Sequence, residues 1–217
     1  MHETVDECVA SCQWKIMNLL RTRRFHTDSE LVLLFKAHIL SFIEYRTCAI
    51  SHASSSVLAP LDAVLDWFLR SLNISRLDAL VYFNLAPLST RRDMAILGVI
   101  HRSALGLGPH CFSRFFRLSS GLPPPRGPRR HGRHMGVPVG FSAPDYVLHS
   151  ALGVVRIYNL LPDYVISANS VKEFQSRLQL LLRERAGHCE DWPVTFSARL
   201  PLAFHPLCAC RDWFPQQ

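Results

Sequence analysis

TDSELVLLFKAHILSFIEY, residues 27–45, is the stretch on which the fold class turns. Thr27 followed three residues later by Glu30 is a capping box: the Thr hydroxyl takes one free backbone N–H of a helix start, and the Glu carboxylate reaches back to another. The apolar run behind it predicts a helix from about Ser29 to near Ile50. Lys36, Glu44 and Arg46 interrupt that run, so it does not suit the interior of a bilayer. Upstream, Val5, Cys8, Val9, Cys12, Ile16, Leu19 and Leu20 recur at helical spacing. Trp14 lies within this amphipathic stretch, as Trp67 does within the next, and both are expected in the core rather than as stacking platforms for bases.

Downstream, Ser54-Ser55-Ser56 marks a polar break. Pro60 is expected in the first turn of the following helix, which carries Leu61, Val64, Leu65, Phe68 and Leu72. Ser75 caps a short helix ending near Phe83. Leu88 to Leu105 is predicted as another, with Ile96, Leu97, Ile100 and Leu105 inward, ended by Gly106, Gly108 and Pro109. From Ser119 to Pro144 the chain is rich in Pro, Gly and Arg, which predicts an exposed arm outside the core. Order resumes near Tyr146. Asn159-Leu160-Leu161-Pro162 reads as a turn, and a second box, Ser170-x-x-Glu173, opens a helix with Val171, Phe174, Leu178, Leu181 and Leu182, closed by Gly187. The remainder has no clear periodicity and is expected to be loosely structured. The expected fold is all-α: an irregular bundle of about five to seven helices. It divides into a helical domain 1–116, a basic linker or arm 117–144, a small helical subdomain 145–187 and an irregular tail 188–217.

The chain of 217 residues is 48% hydrophobic and 19% charged, which excludes a disordered polar chain. Its net charge of +7 is concentrated. No acidic residue lies between Asp93 and Asp145, an interval that holds Arg102, Arg114, Arg117, Arg126, Arg129, Arg130 and Arg133. The rest of the chain balances 17 basic against 17 acidic residues. A concentrated positive field of this kind seeks a polyanion. Candidate nucleic-acid contacts are Arg126, Arg129, Arg130 and Arg133 in the arm, and Arg91 and Arg92 in the first turn of a helix, where the dipole opposes cations and does not explain them. Solvated side chains are the alternative for each. Arg21, Arg23 and Arg24 stand at a helix end whose dipole favours them.

Catalytic machinery is not legible. No acidic pair sits in an apolar setting fit for Mg²⁺, and there is no G-x-S-x-G, phosphate-cradling Gly-rich loop before a Lys, or H-E-x-x-H. His205-x-x-Cys208-x-Cys210, with His188 and Cys189 upstream, has zinc-type ligands but the spacing of no two-plus-two finger. No catalytic residue, metal ligand or cofactor is therefore expected. Seven cysteines, an odd number, with no secretory leader read as reduced thiols in an intracellular protein, cytoplasmic or nuclear.

Several phrases together resemble one family. LFKAHIL (34–40) followed by Ile43-Glu44-Tyr45 resembles the thumb region of non-LTR (LINE-type) retrotransposon reverse transcriptases, and LDAVLDWFLRSLNI (61–74) the helix that follows it. Leu88-Ser89-Thr90-Arg91-Arg92 and the stretch from Leu97 to Gly106 are similar to the family's "L-x-x-RR" helix. Tyr158-Asn159-Leu160-Leu161-Pro162 and Ser170-Val171-Lys172-Glu173-Phe174-Gln175 resemble its closing "W-N-x-LP … S-x-x-x-F-K" pattern, with Tyr and Gln in place of Trp and Lys. The phrases fall in family order over roughly residues 12 to 185. The family's metal-binding Asp pair and its endonuclease have no counterpart in the chain, so a full element protein would carry them upstream of Met1. The resemblance implies a non-catalytic thumb and post-thumb region that grips template-primer, RNA or RNA/DNA duplex, without sequence preference. It implies neither a membrane nor a small-molecule substrate. The other readings are a module that packs on a polymerase palm, and a relic of a degraded mobile element without function.

Overall fold

A computed structural model describes residues 2–119, 131–138, 140 and 143–209. Among them the fold is all-α, with no sheet and one isolated antiparallel bridge, Leu118 to Met135. Seven helices have eight or more residues: α1 (His2–Arg21), α2 (Asp28–Phe35), α5 (Ser55–Leu72), α6 (Arg76–Phe83), α7 (Leu88–Ala104), α9 (Ala151–Tyr158) and α11 (Val171–Ala186). Five are shorter: α3 (Ser41–Tyr45), α4 (Thr47–Ile50), α8 (Asp145–Leu148), α10 (Asp163–Ile166) and α12 (Pro206–Ala209). None of the described helices is long and apolar enough to cross a membrane. The chain divides into two compact units, 1–88 and 89–217, so α7 belongs mainly to the second and the segments 117–144, 145–187 and 188–217 share one unit.

In the first unit, α1 packs on α5 through Val5, Cys8, Cys12 and Ile16. The capping box forms as expected. Thr27 Oγ1 accepts from Glu30 N at 3.3 Å, while Thr27 N donates to Glu30 Oε2 at 2.8 Å. The predicted single helix over 29–50 is not continuous α-helix: a π-helical turn, Lys36–Leu40, separates α2 from α3. The wider turn changes the register, and Phe35, Ile39, Leu40 and Ile43 all reach the core. Phe35 stacks on Phe68 of α5, ring centroids 4.3 Å apart. Pro60 stands at the sixth position of α5, not in its first turn, because Ser54 is the extended cap residue and Ser55 already helical. The carbonyl that Pro60 leaves without an N–H is that of Ser56, an exposed residue, so the cost of the missing bond is small.

Trp14 departs most from expectation. It is 69% exposed, because it lies two residues from both Cys12 and Ile16, roughly 200° around the helix from each. Trp67 is half-buried and Trp192 buried, and Trp213 lies outside the described residues.

The second unit is built on α7, α9 and α11, with Leu97, Ile100, Val155, Ile157, Phe174 and Leu178 inside. Gly106 ends α7 with φ +74°, the left-handed turn that glycine allows. Ser170 caps α11, accepting from Glu173 N at 3.1 Å, but the Glu173 carboxylate reaches Asn169 N instead of closing the box on Ser170. Two expectations fail here. The arm is not wholly outside the core: His131 and Met135 are buried, and Ser119 N donates to His134 O at 2.8 Å while Gly136 N donates to Arg117 O at 3.0 Å. The described tail is irregular yet packed. Phe196, His205 and Leu207 are buried, and Arg185 ties the segment down through Asp191 at 3.0 Å and Pro206 O at 3.3 Å. Alternating Pro and apolar residues leave no period to read, but the tail still buries apolar area.

Candidate nucleic-acid interface

Of the six arginines singled out from the sequence, the three described ones, Arg91, Arg92 and Arg133, are each engaged within the chain. Arg126, Arg129 and Arg130 lie outside the described residues. Arg92 is only 6% exposed, and both it and half-buried Arg91 already engage other groups of the chain. A buried guanidinium has no open face for a phosphate, so Arg92 is a structural residue. Arg133 is also committed: its Nη1 donates to Ile166 O at 2.6 Å and Ala168 O at 2.7 Å, pinning the end of α10 and the turn beyond it. A shallow groove of about 220 Å³ lined by Gly132, Arg133, Asp163, Ile166 and Ser167 lies beside this clamp, with cation and carboxylate both present.

Among the described residues, the exposed positive charge of the acid-free interval is carried by Arg102, Arg114 and Arg117. Arg102, on α7, is exposed and donates from Nε to Leu107 O at 3.0 Å. A 3₁₀ turn, His110–Arg114, follows, anchored by Phe112 against buried Phe116, ring centroids 5.6 Å apart. Arg114 ends this turn and Arg117 lies three residues beyond it, both exposed. Among the described residues neither is within ion-pair reach of a carboxylate. The backbone of Arg117 is held by the pairing with Gly136, so the docked segment of the arm stiffens this basic edge.

The same unit holds a buried polar cluster, and sequence reasoning missed its role. His101 accepts at Nδ1 from the Tyr158 hydroxyl at 3.0 Å and donates from Nε2 to Ala168 O at 3.1 Å, which makes it the neutral Nε2–H tautomer. Its ring stacks on Phe174 at 4.1 Å. Burial pulls the His101 pKa down to about 4, with the Arg133 and Arg177 charges adding to it and the Ala168 carbonyl opposing. Burial pushes the Tyr158 phenol up, so it stays protonated and donates. Beside them, Asn159 makes a two-point clamp on the arm: its Oδ1 accepts from Met135 N at 2.9 Å and its Nδ2 donates to Met135 O at 2.7 Å. His131 Nε2 donates to Tyr158 O at 3.2 Å. The Tyr158-Asn159 step therefore holds the arm in place as well as making a turn. A buried Asn in such a turn was the only available sign.

In the tail, His205 donates from Nε2 to Ser197 O at 3.1 Å and accepts at Nδ1 from Leu207 N at 3.3 Å. Both ring nitrogens are thus engaged, and among the described residues no three His, Cys, Asp or Glu side chains gather as metal ligands. Cys8, Cys12, Cys111, Cys189 and Cys208 are free thiols. No family model, no curated protein and no solved structure matches this chain.

Proposed function

We propose that the chain is a non-catalytic nucleic-acid-binding region that grips RNA or RNA/DNA duplex through its phosphates, as the resemblance to a reverse-transcriptase thumb implies. The observation that carries this reading is the exposed pair Arg114 and Arg117, in an interval of seven arginines without an acidic residue. Such an edge neutralises phosphates and reads no base, so binding is sequence-independent and falls steeply with salt.

The test is the salt dependence of duplex binding by the full chain. Arg114→Ala/Arg117→Ala flattens the log–log slope by up to about 1.8, at about 0.9 per lost phosphate contact, and weakens unrelated sequences equally. An unchanged slope and affinity would remove this edge from consideration. Primer extension by the chain alone is expected to stay at background with Mg²⁺ or Mn²⁺, because no carboxylate pair capable of holding two metal ions is legible in the sequence. Incorporation above background would overturn the non-catalytic reading.

A further inference from the structure

The first unit carries a second surface with different chemistry. Trp14, Met17 and Arg21 are exposed on one face of α1, at i, i+3 and i+7, with Trp14 and Arg21 separated by a rise of about 10 Å. Arg24 and Phe25 follow in the next turn; Phe25 is 69% exposed, and the Arg24 guanidinium lies 4.6 Å from its ring centroid. Tyr45, Tyr82 and Phe204 are more exposed still, but Trp14 and Phe25 are the two large aromatics that fall within one basic stretch of the chain.

Glu7 and Asp28 border a stretch whose own charge is positive. From Cys8 to Thr27 there is no acidic residue, and Lys15, Arg21, Arg23 and Arg24 are basic. Two of these four are committed within the unit. Lys15 Nζ sits 3.7 Å from the Phe42 ring centroid, with Arg46 4.0 Å from the same centroid, and Arg23 donates to Ser71 O at 2.7 Å and faces Asp28 at 4.0 Å. Arg21 is exposed and, among the described residues, makes no ion pair; Arg24 makes only the ring contact.

We propose that Trp14, Met17, Arg21, Arg24 and Phe25 form a base-stacking site for single-stranded nucleic acid. An indole standing out from a helix offers an open π-face, which an unpaired base can cover and a base inside a duplex cannot. Arg21 and Arg24 supply the phosphate contacts between stacked bases. The face lacks the aliphatic row a docked protein helix would need, since it passes from Ala10 through Trp14 and Met17 to Arg21. The site is independent of Arg114 and Arg117, so either can fail without the other.

The experiment measures binding of the full chain to a fluorescent oligothymidylate and to an abasic strand of equal length. Trp14→Leu, which keeps apolar bulk and removes the ring, weakens thymidylate binding about tenfold, and Phe25→Leu acts similarly. Trp14→Phe retains most of the affinity. The abasic strand binds parent and Trp14→Leu alike. Arg21→Ala/Arg24→Ala reduces the log–log salt slope on single strands by about 1.4, at about 0.7 per contact. Circular dichroism of the variants matches the parent, since all five side chains lie on the surface. Equal thymidylate affinity of parent and Trp14→Leu overturns the proposal, as does an equal loss on the abasic strand. If polyglutamate displaces the strand and loses affinity equally in Trp14→Leu, the surface is a site for acidic protein and the proposal falls. It falls likewise if Trp14→Leu dissociates a dimer while leaving thymidylate binding intact.

Discussion

Asn159→Ala lowers the stability of the second unit by about 3 kcal/mol, because it strands two buried backbone groups at once. Met135 is 1% exposed, and its N–H and C=O both pair with the Asn159 amide. An alanine leaves a donor and an acceptor buried without partners, each worth about 1–3 kcal/mol. Asn159→Asp is expected to be no better. It keeps the acceptor but turns a carboxylate oxygen toward the Met135 carbonyl, in a site with 6% exposure. Hydrogen exchange of the Met135 amide reads the local effect, and exchange of the α9 and α11 core amides the effect on the unit. The docked segment 131–136 is also expected to open, so trypsin should cut after Arg133 in the variant far faster than in the parent. Met135 exchange unchanged from the parent would show that the clamp contributes nothing.

The second large effect is a pH dependence. The His101 pKa is about 4 in the folded chain, against about 6.5 when unfolded. Between these values the unfolded state binds more protons than the folded one, so stability rises with pH across the window and is lost as pH falls through it. From pH 7 to pH 4 this one group removes about 3 kcal/mol. The physical event is protonation of Nδ1, which breaks the hydrogen bond it accepts from the Tyr158 hydroxyl and places a charge in a buried site. His101→Gln retains a donor and an acceptor but does not titrate. Urea unfolding at a series of pH values is expected to show a lower stability for the variant at pH 7 and a flatter profile between pH 6.5 and 4. His149, whose pKa burial and Arg199 also lower, titrates in both proteins and cancels in the difference. Parallel profiles for parent and variant would mean that His101 is not the group responsible.

How far the sequence reaches is clearest residue by residue. Thr27 and Glu30 form their box because a capping box is local: the groups that satisfy one another lie within four residues. The same locality made α1, α5, α6, α7 and α11 legible, and with them the all-α class. Locality also explains where the reading stopped. Ser170 caps α11 but Glu173 turns to Asn169, a choice between two backbone N–H groups that depends on how the preceding turn approaches. The left-handed residues Asn73 and Asn84, which close α5 and α6, left only a faint local signal.

Burial of individual residues was the part least available to pattern. Trp14 was expected inward because it lies within an amphipathic helix, yet the stripe that faces α5 runs through Cys12 and Ile16 and leaves Trp14 on the opposite side. Arg92 and Arg133 were expected outward as charges. Arg92 is buried, and Arg133 donates to two carbonyls that no local partner satisfies. A guanidinium does the same chemistry for a phosphate and for a backbone oxygen, so arginine alone does not distinguish a binding site from a clamp.

By itself the sequence determined α1, α5, α6, α7 and α11, the Thr27 capping box, the all-α class and the segregation of positive charge, because each is set by neighbours in the chain or by composition. Only the tertiary structure decided which of the described arginines remain on the surface, that residues 134–136 of the arm pair with Arg117, Ser119 and Asn159, and that His101, Tyr158 and Phe174 meet in one buried cluster. Those outcomes depend on which backbone carbonyls are left unpaired after the helices pack. That is a property of contacts 15 to 73 residues apart, which no local pattern encodes.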